Sequence, residues 1–299
     1  DQVRYDNMGK LKSKELRLTI LMILAMITWG LSWTNAKIVG NYGSAPLMMF
    51  WRFFIASLSF APIVWWKGQS FKITREGLRF IILNSLFMTS YNFFYFKGTQ
   101  VGLAGAGGVL VTTLNPILTT LFSALFFGGI LLRKDIVGLM LGFFGGACIL
   151  KIWDLNLDLL FQSGNFHYIM ASFSWVSVTI LTSRSKAVIP FIPYSFWCFA
   201  LSAIFSLSIA ANEPLLDVFR FDWIFWLNMM CLAIAAMAFG TSIYFQASAE
   251  LGAKKASAFI FTVPLTAMGF AMYYLNEPLD LTLMIGGTLS IFAVYLINK

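Results

Sequence analysis

Basic residues fall almost entirely on alternate connectors between long apolar runs, and that alternation marks a chain that crosses a membrane many times. The apolar runs occupy 17–37, 45–66, 77–96, 103–127, 135–150, 164–183, 190–211, 222–245, 255–275 and 278–297. Of the 21 Lys and Arg residues, 16 lie on one set of connectors: Arg4, Lys10, Lys12, Lys14, Arg17, Lys67, Lys72, Arg75, Arg79, Arg133, Lys134, Arg184, Lys186, Lys254, Lys255 and Lys299. The other set holds only Lys37, Lys97, Lys151 and Arg220, and Arg52 stands inside a run. Short basic loops translocate poorly, so the basic set is expected in the cytoplasm together with both termini.

Composition agrees. Hydrophobic residues make up 59% and charged residues 11%, with a mean hydropathy of +0.78. A soluble domain has about a quarter of its residues charged. Each crossing takes ~20 residues, so ten leave only short connectors and no room for a soluble domain. The net charge of +8 is spread over cytoplasmic connectors. Topology therefore explains it without a nucleic-acid partner.

Cys148, Cys198 and Cys231 all fall inside runs. An odd number without loop pairing argues against a disulfide framework and reads as small buried hydrophobes. His167 has no Cys or carboxylate in register, so no metal site and no cofactor is expected. The first run is too long for a signal-peptide core, and it ends without a small-residue cleavage site. Residues 1–7 differ in character from the chain beyond Met8, as an expression remnant would. The myristoylation-like stretch from Met8 to Ser13 reads as chance, because an integral protein gains nothing from a lipid anchor.

The sequence repeats itself. Tyr95-Phe96-Lys97, then Gly102-Leu103-Ala104 and Asn115-Pro116, parallels Tyr244-Phe245-Gln246, then Leu251-Gly252-Ala253 and Val263-Pro264. Gly138 and Gly286 come next at matching distances, and Thr28-Trp29 parallels Ser174-Trp175. Five crossings per copy is odd, so the second copy is inverted in the membrane, a transporter signature with a site near the midplane. The expected architecture is an all-α integral membrane fold of ten transmembrane helices in two inverted five-helix repeats. A tail (1–16), a first repeat (17–152), an outer linker (153–163) and a second repeat (164–299) divide the chain.

These residues resemble the ten-helix, EamA-type members of the drug/metabolite transporter superfamily. The resemblance rests on Thr28-Trp29-Gly30-Leu31-Ser32-Trp33, on Pro46 with Arg52, on the loops before Pro116 and Pro264, and on Asn276-Glu277-Pro278-Leu279. It covers 17–298 and implies a central cavity between the halves and movement of small metabolites, often export. One departure is Gly129 at the place matching Glu277, where such proteins often carry an acidic residue. The small four-helix multidrug relatives depend on a membrane carboxylate, and that mechanism does not carry over to this chain.

Glu250, Glu277 and Asp280 fall at run ends or in connectors. Charge at the bilayer centre costs on the order of 2.5–3.5 kcal/mol. With no mid-run carboxylate the sequence offers no obvious proton or cation carrier, which favours facilitated diffusion or coupling through other groups. Arg52 has two readings. It snorkels or binds helix-end carbonyls as a structural group, or it contacts a substrate carboxylate or phosphate.

Other polar residues near the midplane are neutral or aromatic. Trp29 and Trp33 share a helix face, as do Asn92 and Tyr95. Thr112, Asn115 and Thr119 form a stripe, as do Ser172, Trp175 and Thr179, and Thr262 and Thr266 flank Pro264. Polar groups in a bilayer need partners, which turns such faces inward. For each residue packing is the alternative; together Trp29, Trp33, Arg52, Asn92, Tyr95, Asn115, Trp175, Thr179, Tyr244 and Thr262 form the candidate substrate site. Aromatic walls with a few amides and hydroxyls suit a neutral, zwitterionic or aromatic solute.

Pro116 and Pro264 are candidate hinges, or static bends that shape the cavity. Gly138, Gly142 and Gly146 form a small-residue face for helix packing or for a dimer. Trp65, Trp66, Trp153, Trp223 and Tyr273 read as interfacial belts, and the basic stretch 67–79 as a cytoplasmic loop against anionic headgroups.

The expected function is transport of small organic metabolites by alternating access, amino acids leading, in a bacterial inner membrane, as a monomer or weak dimer. The alternatives are an antiporter of phosphorylated or nucleotide-linked substrates, which wants more cavity cations, and a non-transporting receptor or scaffold. An intramembrane enzyme would need an acid–base or nucleophile cluster at depth, and the runs hold none.

Overall fold

The computed structural model describes residues 2–128, 131–151, 153, 158, 161 and 163–298. Most of the outer linker and Gly129 lie outside these residues. The described residues form helices and connectors with no strand, and Ser44, Thr74 and Asp222 each cap a helix. Helix α1 covers Gln2–Val39. Ser44 starts α2 (Ala45–Trp66), its hydroxyl accepting from Leu47 N at 3.3 Å with Pro46 in the first turn, where a missing N–H is harmless. Thr74 does the same for α3 (Arg75–Val101), accepting from Gly77 N at 3.0 Å. Helices α4 (Ala104–Phe127), α5 (Arg133–Leu150), α6 (Asn165–Ser185) and α7 (Phe191–Ile209) come next. Asp222 caps α8 (Trp223–Leu251). Then come α9 (Ala253–Ala258), a 3-10 turn (Phe259–Thr262), α10 (Val263–Leu275) and α11 (Leu281–Asn298).

Five of these helices are long and apolar enough to cross a membrane: Leu16–Val39 within α1, α2, Ala104–Phe126 within α4, α7 and α8. Two shorter apolar stretches, Val263–Leu275 and Leu281–Ala293, lie in the second half. Polarity runs opposite to that of a soluble protein. Ile23, Leu24, Leu83, Leu86, Phe143 and Phe144 are exposed, whereas Arg52, Asn84, Asn92, Asn115 and many Ser and Thr are buried. That distribution fits hydrocarbon outside and hydrogen-bonded polar groups inside. Trp65, Trp66, Trp153, Trp223 and Tyr273 are all exposed, as a belt requires.

The two halves interlock. Exchanging α1, α2, α3, α4 and α5 for α6, α7, α8, α9–α10 and α11 maps the main contacts onto one another. The pair α1–α10 becomes α4–α6, α3–α6 becomes α1–α8, and α2–α8 becomes α3–α7. The pairs α2–α7, α4–α10 and α5–α11 map onto themselves. This is the pattern a two-fold axis between two copies produces. The small face of α5 is spent inside the bundle: a Cβ on Gly145 would strike Ser290 and Gly286 of α11, and one on Gly142 would strike Ile117 of α4.

Three boundaries depart from the apolar runs. α1 extends back through the expected tail, α3 runs on past Lys97 to Val101, and α8 continues to Leu251. A helix satisfies its own backbone in water as in lipid, so apolarity marks the hydrocarbon boundary and not the helix end. The run at 255–275 is broken rather than continuous. Pro264 lacks an N–H and its ring crowds the carbonyl four residues back, so the chain passes through the 3-10 turn and restarts with Pro264 in the first turn of α10. Pro116 differs in lying inside unbroken α4. The prolines match in sequence but not in local geometry.

Candidate substrate site

At the centre, α1 and α6 bring their matching tryptophans together. Trp29 and Trp175 meet edge to face with ring centroids 5.1 Å apart. Tyr244 packs on both, at 5.0 and 5.7 Å, and Tyr91 on Trp175 at 4.7 Å. Trp33 meets Tyr95 at 4.6 Å and Tyr168 at 5.8 Å. Offset and edge contacts of this kind add about 0.5–1.5 kcal/mol each beyond burial. The tyrosine hydroxyls repeat the symmetry: Tyr95 donates to the Ser32 carbonyl on α1 at 2.6 Å, and Tyr244 shares a hydrogen bond with Thr179 on α6 at 2.9 Å.

Glycines make this approach possible. A Cβ on Gly108 of α4 would run into Ala267 of α10 and sit 3.2 Å from the Trp33 ring. One on Gly240 of α8 would stand 2.9 Å from Trp29 Nε1. Gly240 belongs to a π-helical stretch, Cys231–Thr241, in the middle of α8. Its altered register offers the Ala236 carbonyl to Trp29 Nε1 at 3.0 Å and the Leu232 carbonyl to Arg52 Nε at 3.4 Å. Such stretches recur at functional sites because they free backbone groups from the helix ladder. Nothing in the apolar pattern of 231–241 announces it.

These groups surround a central cavity of about 20 Å³, lined by Trp29, Ser32, Trp33, Arg52, Tyr91, Thr112, Asn115, Trp175, Met237 and Thr241. That is room for about one water, so the centre is closed. Five of the ten sequence-derived candidates, Trp29, Trp33, Arg52, Asn115 and Trp175, line it. Asn92, Tyr95, Thr179 and Tyr244 stand just behind, holding the lining: Asn92 Oδ1 accepts from Arg52 Nη1 at 2.9 Å, and the Arg52 guanidinium lies 5.0 Å from the Tyr95 ring centre. Thr262 lies apart, its hydroxyl bonded to the Phe259 carbonyl at 3.0 Å.

Five residues that line the cavity, Ser32, Tyr91, Thr112, Met237 and Thr241, are absent from the sequence-derived candidates. The repeat held the signal for Thr241, which precedes Tyr244 by three residues as Asn92 precedes Tyr95. Arg52 does not snorkel; at 4% exposure it reaches neither face.

Larger hollows open toward opposite faces. One of about 330 Å³ lies at the Lys37 face, lined by Lys37, Leu103, Ala106, Lys151 and Asp280 among others. Another of about 510 Å³ lies at the Arg17 face, beside Phe60, Ala238, Ser242 and Gln246. Polar contacts tie the halves together near each. At the Lys37 face both Glu277 oxygens accept from the N-terminus of α4, Ala104 N at 2.7 Å and Gly105 N at 2.8 Å. Leu103 provides α4 with no side-chain cap, so the second half supplies one. Lys151 pairs with Asp280 there and holds that carboxyl below the usual range. Tyr42 donates to Asp222 at 2.7 Å, which likewise lowers Asp222; both carboxylates are charged at neutral pH.

At the Arg17 face, buried Asp135 accepts from Leu132 N at 3.0 Å and pairs with Lys254 at 3.1 Å. Lys254 is the second residue of α9, as Gly105 is of α4. The carboxylate clasps are therefore placed at matching helix starts on opposite faces.

The sequence profile of the EamA-like transporter family matches residues 16–151 and again 162–299. An uncharacterized transporter of Archaeoglobus fulgidus is 25% identical over 282 residues, covering 93% of this chain and 96% of that one. The uncharacterized transporter YoaV of Bacillus subtilis is 24% identical, covering 94% and 96%. A protein of Escherichia coli described as a probable amino-acid metabolite efflux pump is 23% identical, covering 93% of each. One solved crystal structure shares the fold, with a TM-score of 0.66 over 94% of this chain and 97% of that one, at 18% identity. With both halves matched, the chain belongs to the EamA-like transporter family, a multi-pass membrane transporter with a small-molecule substrate.

Proposed function

We propose that this chain carries small organic metabolites, amino acids foremost, across a bacterial inner membrane by alternating access about the central aromatic cavity. The observation that carries the reading is the symmetric pair Trp29–Trp175 over a closed cavity, with a hollow toward each face. A site closed between two potential openings is what alternating access needs. Aromatic walls with amide and hydroxyl groups fit an amino acid, and the Escherichia coli relative is named for amino-acid metabolite efflux. No carboxylate lines the cavity among the described residues, which supports downhill movement without an imposed proton gradient. The test is counterflow in proteoliposomes with labelled amino acids, with and without a pH gradient. Uphill accumulation driven by pH alone would reject the uncoupled form of the reading.

Ten crossings with both ends in the cytoplasm complete the proposal. A reporter active only in the cytoplasm is expected to function after Lys299 or within 67–79 and to stay silent within 155–162. Activity at the last place would overturn the arrangement, because the asymmetry of the basic residues rests on it.

The prolines are proposed to contribute unequally. Pro116 breaks the hydrogen-bond ladder inside α4, whereas Pro264 sits where a first turn needs no donor. Pro116→Ala is expected to change transport rate several-fold with little effect on substrate affinity, as hinge changes do. Pro264→Ala is expected to change neither by more than about twofold. Equal effects of both on flux would restore a symmetric pair of hinges.

A further inference from the structure

Arg52 carries a charge that no acidic group among the described residues neutralises. It is 4% exposed, and among the described residues no ion pair includes it. Its protein partners are an amide oxygen, a backbone carbonyl and two aromatic rings, those of Tyr95 and Phe96. A guanidinium has five N–H donors; among the described residues Nε and Nη1 bond Leu232 and Asn92, the Tyr95 hydroxyl is a further neutral neighbour, and no carboxylate pairs with it. Removing an unpaired charge from water costs several kcal/mol, a cost that persists in evolution where the charge meets something that arrives and leaves.

Two further polar groups on the same cavity are also incomplete. Asn115 Oδ1 and Trp175 Nε1, on residues 3% exposed, have no hydrogen-bond partner. Both line the cavity with Arg52. Asn115 Oδ1 accepts, so it calls for a donor on the ligand, and Trp29, Trp33, Tyr91 and Trp175 offer π-faces that favour a cationic donor.

The repeat fixes the charge of the anion. α2 begins 16 residues after Trp29 and α7 begins 16 residues after Trp175, so the counterpart of Arg52 is Cys198. The cation is not duplicated. A phosphate monoester carries about −1.5 to −2 at neutral pH, and one guanidinium would leave the excess buried; a carboxylate leaves none.

We propose that Arg52 and Asn115 form a two-point site for a monocarboxylate that also carries a hydrogen-bond donor, and that this site discriminates against phosphates. The inference rests on the transporter reading of the cavity and adds its charge rule.

The test is equilibrium binding to the full chain in lipid nanodiscs, read by intrinsic tryptophan fluorescence. The probes are the common L-amino acids, their amides, 3-phenylpropionate and phenyl phosphate. At least one free amino acid is expected to bind, its amide about tenfold more weakly, and phenyl phosphate more weakly than 3-phenylpropionate. Arg52→Gln should erase the preference for acid over amide. Arg52→Lys, which keeps the charge but loses the fork, should retain part of it and serves where the glutamine variant does not fold. Asn115→Leu should remove the advantage of phenylalanine over 3-phenylpropionate. Binding of none of the acids, tighter phosphate binding, or an unchanged acid preference in a folded Arg52 variant would overturn the proposal. Selective binding without flux in proteoliposomes would instead reject transport and leave the site standing, while flux indifferent to both Arg52 variants would reject the site and leave transport standing.

Discussion

Gly30→Ala is expected to destabilise the protein by on the order of 3 kcal/mol, the upper end of overpacking effects, and to cut the yield of monodisperse protein severely. A Cβ at Gly30 would overlap the Thr266 hydroxyl, lie 2.6 Å from Thr266 Cβ and come within 3.0 Å of the Ala267 backbone nitrogen. The first two neighbours belong to a side chain whose hydroxyl is bonded to the Val263 carbonyl at 3.0 Å, and the third cannot move without moving α10. Thr266→Gly in the Gly30→Ala background should restore part of the loss, because the backbone contact remains.

Gly269→Ala is the control. It lies on α10, the helix that Gly30 of α1 packs against, but nothing stands within 4 Å of its added Cβ, and alanine in a helix is favoured over glycine by roughly 0.5–1 kcal/mol. Its thermal midpoint in detergent should be equal or higher. If Gly30→Ala and Gly269→Ala melt alike, the close approach of α1 and α10 is not what holds the centre together.

That approach also shows where sequence reasoning stops. Apolar runs and basic connectors reveal the helices, and the repeat reveals which helices correspond. The repeat even anticipates contacts, since Trp29 matches Trp175 and Tyr95 matches Tyr244, and each pair takes an equivalent place. Hydropathy cannot supply the rotation of each helix. In lipid both faces of a helix are apolar enough, so the glycines decide which side chains meet. Gly107 and Gly108 admit Trp33 and Tyr168 beside α4, and Tyr168 therefore belongs to the central cluster although it stands only four residues into α6. Thr262 does not line the central cavity; in the turn before Pro264 its hydroxyl is bonded to the local carbonyl of Phe259.

Glu277 escaped for a different reason. Its partner is the start of α4, 173 residues earlier in the chain, and no local pattern encodes a cap supplied from that distance. In sequence Glu277 stands out within Asn276-Glu277-Pro278-Leu279, but nothing there points to its partner.

Breaking that cap should move the protein between access states. Glu277→Gln removes the charge from two hydrogen bonds to the α4 N-terminus, where a carboxylate also meets the positive end of the helix dipole. Charge-assisted bonds contribute about 1.5–3 kcal/mol each. Only the part that differs between open and closed states shifts their balance, and about 1.4 kcal/mol is a tenfold change. Thiol labelling of Ala106→Cys, in a background with Cys148, Cys198 and Cys231 replaced, should therefore rise about tenfold when Glu277 becomes glutamine.

Asp135→Asn at the opposite face should do the reverse. It weakens the pair with Lys254, so labelling of Gln246→Cys should rise while labelling of Ala106→Cys falls. The opposition is the sharp demand, because the clasps sit at matching helix starts of two copies facing opposite ways. Should both variants raise labelling at both faces, the carboxylates would be general stabilisers. Should both fold normally and label like the parent, Glu277 and Asp135 would be static caps, and the opening of the cavity would be governed elsewhere.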